Sequence, residues 1–176
     1  MDKKQKGKLY LLRHEQRGND ISFLSSLTVK GQVNSATLIS PKLRKCGIST
    51  IYCSPFTRTL QTIYHFSVDT KIPVNIEWAL AESYPFDPTI PDEFNYIINP
   101  NYESFCEYES PHSEKLFSTS DLKLRVKHFI ETLDFSLGNI LLVTHLPVIN
   151  AILLSKGVEI VDIFKGCEPG TLICIE

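Results

Sequence analysis

Arg13 and His14 stand directly after the apolar run Leu9-Tyr10-Leu11-Leu12, and His145 closes a second run, Ile140 to Thr144. Runs of this kind read as buried strands, and α/β proteins carry their chemistry just beyond the carboxyl ends of parallel strands. A third run, Ile48 to Cys53, leads into Ser54-Pro55-Phe56-Thr57-Arg58 and brings another arginine to the same edge. Parallel neighbours would thus gather two imidazoles and two guanidinium groups. Arginine offers phosphoryl oxygens a planar fork of donors, while a neutral imidazole is a nucleophile that can carry a phosphoryl group transiently. Paired histidines also suit a metal ion. Guanidinium groups beside both of them would repel a divalent cation, so the constellation points to phosphate chemistry.

The elements that must position these groups can be followed along the chain. After the first strand, Glu15 to Leu27 reads as a loop, and Thr28 is the expected N-cap of a helix running through Ala36, Leu38 and Ile39. Pro41 should kink or restart that helix, and Gly47 should end it before the Ile48 to Cys53 strand. The first strand, this helix and the Ile48 to Cys53 strand form a βαβ unit, Thr59 to Phe66 carries the polar/apolar mixture of the next helix, and Pro73 to Ile76 is a short third strand candidate. Leu122, Leu124, Val126, Phe129, Ile130 and Leu133 fit one face of a helix. Pro147 suits the start of a further apolar helix that ends near Gly157, and Gly170 to Glu176 reads as a final strand.

With 176 residues the chain is expected to form one domain. A net charge of −2 with 43% hydrophobic residues shows no basic bias toward nucleic acid, and no segment is long and apolar enough to span a membrane. Five cysteines without metal-like pairing, and a lysine-rich start (Lys3, Lys4, Lys6, Lys8) without an apolar signal core, fit a reducing cytoplasm. Cys53 and Cys174 lie in apolar runs, where a buried thiol behaves as a small hydrophobe. The lysines form a solvated tail or touch an acidic partner.

Between Glu82 and Asp121 the pattern changes. Pro85, Pro88, Pro91, Pro100 and Pro111 punctuate a stretch holding Tyr84, Phe86, Phe94, Tyr96, Tyr102, Phe105, Tyr108 and Phe117. Nine acidic residues (Glu82, Asp87, Asp92, Glu93, Glu103, Glu107, Glu109, Glu114, Asp121) face one base, Lys115, a local balance of −8 in a chain of −2, so the rest carries +6. Such a segment forms a lid or wall over a site, or a partly packed surface loop.

Leu12-Arg13-His14, Leu27-Thr28-x-x-Gly31, Ser54-Pro55-x-x-Arg58-x-x-x-Thr62, Leu80-x-Glu82 and Val143-Thr144-His145, in that order, resemble the histidine phosphatase superfamily, also called phosphoglycerate mutase-like. The resemblance covers most of the chain. It implies a three-layer α/β/α fold with a mostly parallel central sheet flanked by helices, the irregular 82–121 insertion near the active site, and no metal or other cofactor. His14 would accept the phosphoryl group, Arg13, Arg58 and His145 would hold its oxygens, and Glu82 would donate the proton. Arg17, in an Arg-His-x-x-Arg arrangement similar to one branch of the family, extends the phosphate pocket or is a solvent-facing loop residue. Glu15 and Leu146 stand where the family usually has glycine. Glu15 would oppose an anionic substrate unless it turns away or pairs with a base such as Arg17, whereas Leu146, preceding Pro147, should be extended without a positive φ. His65, His112 and His128 carry no motif.

The expected activity is therefore that of a metal-independent phosphomonoesterase acting through phospho-His14 on a phosphorylated small molecule or phosphopeptide. A phosphoglycerate mutase-type phosphotransferase is the second enzymatic reading, although the acidic segment would repel a bisphosphorylated intermediate. A module that binds phosphate or phosphopeptides without turnover is the third, prompted by Glu15.

Overall fold

The computed structural model describes residues 7–83, 88–106, 119–159 and 166–175. Five strands form one sheet: β1 (Leu9–Arg13), β2 (Ile48–Cys53), β3 (Val74–Ile76), β4 (Asn139–Thr144) and β5 (Leu172–Ile175). Their spatial order is β3-β2-β4-β1-β5, parallel throughout except for β5, which runs antiparallel to β1. Successive side chains of a strand point to opposite faces, and here both faces are covered. Leu9, Leu11, Ile140 and Leu142 pack under α4 (Thr119–Glu131) and α5 (Leu146–Ser155). Leu12, Ile51, Leu141 and Val143 pack under α3 (Thr57–Thr70) and the helical stretch that precedes β2. Near-continuous apolar strands are thus the mark of a sheet buried on both sides, and the result is a three-layer α/β/α fold.

The helical stretch before β2 is α1 (Val29–Asn34), a π-type turn over Ser35–Ile39, and α2 (Ser40–Arg44). Thr28 caps it as expected, its Oγ1 accepting from Gly31 N at 3.1 Å. Pro41 has no N–H to donate and its ring crowds the preceding turn, which accounts for the widened turn just before it.

Leu146 departs from expectation. It is the first residue of α5, and His145 before it is the extended one (φ −116°, ψ 159°). The first amides of a helix have no intrahelical acceptor, so Pro147 fits within that turn and the bias against helix in the residue before it is overridden. Cys174 also differs: it is exposed, on the edge strand β5. Cys53 is buried, and burial pushes its thiol well above the usual range.

The described part of the acidic segment is anchored rather than hanging free. Phe94 and Ile97 enter the core on the α3 side, Val74 N donates to Ile97 O (2.8 Å) and Asn99 N to Val74 O (2.9 Å). Tyr84, Phe86, Tyr108, Phe117 and His112, with Asp87, Glu107, Glu109, Glu114 and Lys115, lie outside the described residues, as do Lys3, Lys4 and Lys6. Among the described residues no helix is long and apolar enough to cross a membrane.

Candidate active site

The parallel register pairs Arg13 with Thr144, so the next residues on the two strands, His14 and His145, emerge side by side. Their ring centroids are 5.2 Å apart at 62°. From β2, Ser54 N donates to Val143 O (3.0 Å), and Ser54 Oγ lies 2.8 Å from His145 Nε2. The chain then turns into α3, whose first turn carries Arg58, fully buried with its guanidinium 4.4 Å from the Phe56 ring centre. Arg58 Nη1 donates to Ser22 O (2.9 Å), and Nη2 donates to Glu82 Oε1. Glu82 follows a 3₁₀ turn, Trp78–Leu80, after β3. That turn is held from two sides: Thr144 Oγ1 donates to Leu80 O and Arg125 Nη2 to Ala81 O, both at 2.6 Å. The second Glu82 oxygen is 3.6 Å from His145 Nδ1.

His14 Nδ1 lies 2.7 Å from Glu15 O. A carbonyl can only accept, so in the neutral ring Nδ1 carries the hydrogen and Nε2 keeps its lone pair. Burial, and secondarily the charges of Arg58, Arg13 and Arg17, hold His14 down to about 3 against the opposing pull of that carbonyl. His145 is pushed well below the ordinary imidazole value by burial first and then by the same cations and His14. Both rings are therefore neutral near pH 7. Among the described residues, Arg13 Nε, Arg58 Nε and His145 Nδ1 are buried nitrogens without a hydrogen-bond partner. A guanidinium donor left so costs about 1–3 kcal/mol, and acceptor oxygens from an anion would relieve those of Arg13 and Arg58.

Arg13 is held by the turn before β5: its Nη1 donates to Cys167 O, while Gly170 N donates to the carbonyls of both Arg13 and His14 at 3.2 Å. Arg17 Nη1 donates to the carbonyls of Gly18 (2.9 Å) and Asp20 (3.0 Å); its charge reaches both imidazoles although its guanidinium is tied to its own loop. Glu15 turns away. Its Oε2 accepts from Gln16 N (3.1 Å) and Asn34 Nδ2 (3.4 Å), its amide donates to Thr62 Oγ1 (3.0 Å), and its Oε1 lies against Gly170. A Cβ on Gly170 would come within 2.2 Å of that oxygen. Glu15 thus does not pair with Arg17; its carboxylate is buried on the far side of the loop. His65 and His128 are exposed on α3 and α4.

Three contributors have no sequence signal strong enough to assign them. Ser54 orients His145, the Gly166 to Thr171 turn grips Arg13, and Glu77, wholly buried, accepts hydrogen bonds beneath the 3₁₀ turn. Only Ser54 fell within a recognisable motif. Among the described residues no three or more His, Cys, Asp and Glu side chains gather to hold a metal ion.

The sequence matches the family described as histidine phosphatase superfamily (branch 1) over residues 9–162. No curated protein matches it. Solved structures share the fold at low identity. The ecdysone phosphate phosphatase from Bombix mori superposes with a TM-score of 0.73 at 14% identity, covering 97% of this chain and 89% of that one. YhfR of Bacillus stearothermophilus gives 0.67 at 21%, with 97% and 91% covered, and a mycobacterial glucosyl-3-phosphoglycerate phosphatase gives 0.62 at 16%, with 96% and 89% covered.

Proposed function

The chain belongs to branch 1 of the histidine phosphatase superfamily, and on that premise we propose that it is a metal-independent phosphomonoesterase working through a phosphohistidine on His14. The observation that carries this reading is the state of His14: neutral, with Nδ1 committed to Glu15 O and so with a basic Nε2, beside the buried guanidinium of Arg58 and the half-buried Arg13. Nε2 attacks phosphorus, the ester P–O bond breaks, and Glu82 delivers its proton to the departing alkoxide. Water then attacks the phosphohistidine and returns a proton to Glu82, releasing inorganic phosphate and neutral His14. Arg13, Arg58 and His145 hold the equatorial oxygens, where phosphoryl transfer draws most of its stabilisation, and Arg17 adds positive potential at the rim. When an anion binds, Arg58 exchanges its contact with Glu82 for phosphoryl oxygens, and the freed carboxylate takes up, from solvent or from the monoanionic ester, the proton it then delivers.

The substrate is a phosphorylated small molecule or phosphopeptide, and the acidic, aromatic 82–121 segment selects its non-phosphate part while disfavouring polyanions. The Glu15 carboxylate accepts from Gln16 N and Asn34 Nδ2, which supports turnover over a module that only binds phosphate; saturable phosphate binding without hydrolysis would favour the module. Hydrolysis of an activated aryl phosphate in the presence of chelator is the test. Turnover that survives chelation and disappears in His14→Ala is expected; turnover retained by His14→Ala would sink the assignment.

A further inference from the structure

Glu77 is a wholly buried carboxylate, and its hydrogen bonds join two stretches that are distant in sequence. Oε1 accepts from Ala79 N (2.8 Å), Ser104 Oγ (2.9 Å) and Cys106 N (3.3 Å), and Oε2 accepts from Tyr102 OH (2.6 Å) and Phe105 N (2.8 Å). All five donors are neutral groups. Ser104 closes the link by accepting from Trp78 N at 2.9 Å. Burial first, and then the Glu77 carboxylate, push the Tyr102 phenol well above its usual range, so it remains a donor. Burying a carboxylate without a counter-ion is costly unless its lone pairs are filled, which makes the 102–106 stretch and the Trp78–Leu80 turn interdependent. Glu77 N also donates to Cys53 O (2.9 Å), one residue before the Ser54 that orients His145.

We propose that Glu77 is a positioning residue: through these bonds it clasps residues 102–106 to the 3₁₀ turn and thereby sets Glu82 against Arg58 and His145. The inference rests on the phosphomonoesterase reading and deepens it by assigning what aims the proton donor. Two substrate types separate aiming from general damage. An activated aryl phosphate leaves as a stable phenolate and needs little proton transfer, whereas an alkyl phosphate depends on it, and general acid catalysis is worth about 10²–10⁴-fold.

The experiment compares kcat and KM of wild type, Glu77→Gln, Glu77→Ala and Glu82→Gln on both substrates, with competitive inhibition by inorganic phosphate measured alongside. The expected result is a selective loss. In Glu77→Ala the alkyl-to-aryl ratio of kcat/KM, which reports the step that expels the leaving group and not the shared hydrolysis of phosphohistidine, falls by about tenfold or more, toward that of Glu82→Gln, while phosphate inhibition stays within about twofold; Glu77→Gln, which keeps one acceptor oxygen, falls between. Should Glu77→Ala not fold, the pair Tyr102→Phe and Ser104→Ala removes two donors and keeps the carboxylate, and the same selective loss is required of it. Equal loss on both substrates, or an unchanged ratio, overturns the positioning role while leaving the phosphatase intact. Wild-type protein that hydrolyses neither ester overturns the phosphatase reading and this inference with it.

Discussion

A histidine at the end of a buried strand is reactive only if it keeps its lone pair, and His14 does so through burial and through the carbonyl of its own successor. The prediction at this scale is spectroscopic. In an NMR titration the His14 ring should stay largely neutral between pH 7 and pH 4. A His14 midpoint near 6.5 would contradict the burial argument. Glu15 offers a second test. Its carboxylate occupies the space over Gly170, which has φ +73°, so Gly170→Ala should cost roughly 1–3 kcal/mol from crowding and a strained backbone. Part of that cost should vanish in a Glu15→Gly background, giving an interaction energy of about 0.5–3 kcal/mol. Strict additivity in urea denaturation would mean the two do not meet. That Glu15 turns away was not legible in the sequence, because the space that receives it is built by Asn34 and Gly170, far along the chain.

At the level of elements, the loop that follows β1 is shaped by α1. Thr28 N donates to Gln16 O at 2.9 Å, and a Cβ on Gly31 would come within 2.4 Å of that same carbonyl oxygen. Gly31→Ala must therefore displace either α1 or the loop that carries Arg17. We expect a stability loss of about 1–3 kcal/mol together with a raised KM for the phosphate ester, read by denaturation and steady-state kinetics; an unchanged KM would show that the loop moves without carrying the pocket. Thr28→Ala should cost only about 1 kcal/mol, the worth of an N-cap. The capping threonine and the Pro41 interruption were readable locally, since both act within one or two turns. The anchoring of 97–99 on β3 was not, since it depends on a bridge between Val74 and Ile98.

For the molecule as a whole, the two neutral buried imidazoles tie stability to pH. Unfolded, each returns to its ordinary value of about 6.5, so below that pH the unfolded chain binds protons that the folded chain excludes. Stability should therefore be full above about pH 6.5 and decline as pH falls toward the folded value of His14, about 3. The urea midpoint should drop between pH 7 and pH 4.5, with a shallower drop in His14→Asn; equal slopes would assign the loss to other groups. Inorganic phosphate that binds only the folded state should raise Tm, by the equivalent of about 2.7 kcal/mol at a hundredfold excess over Kd, and Arg58→Ala should remove the effect. In the core, Leu142→Ala should cost about 2–5 kcal/mol, since the residue is fully buried in the central strand β4.

The sequence by itself determined the layered α/β fold and the candidate His14, His145, Arg13, Arg58 and Glu82 set, because strand length, apolar runs and short motifs are local properties of the chain. Tertiary structure alone decided the strand order that sets His14 5.2 Å from His145, the pairing of Glu82 with Arg58, the retreat of Glu15, and the burial of Glu77 among donors from residues 102–106. Each of these depends on which distant segments share a buried space, where an unpaired polar group is costly and its partner is supplied by packing rather than by sequence neighbours.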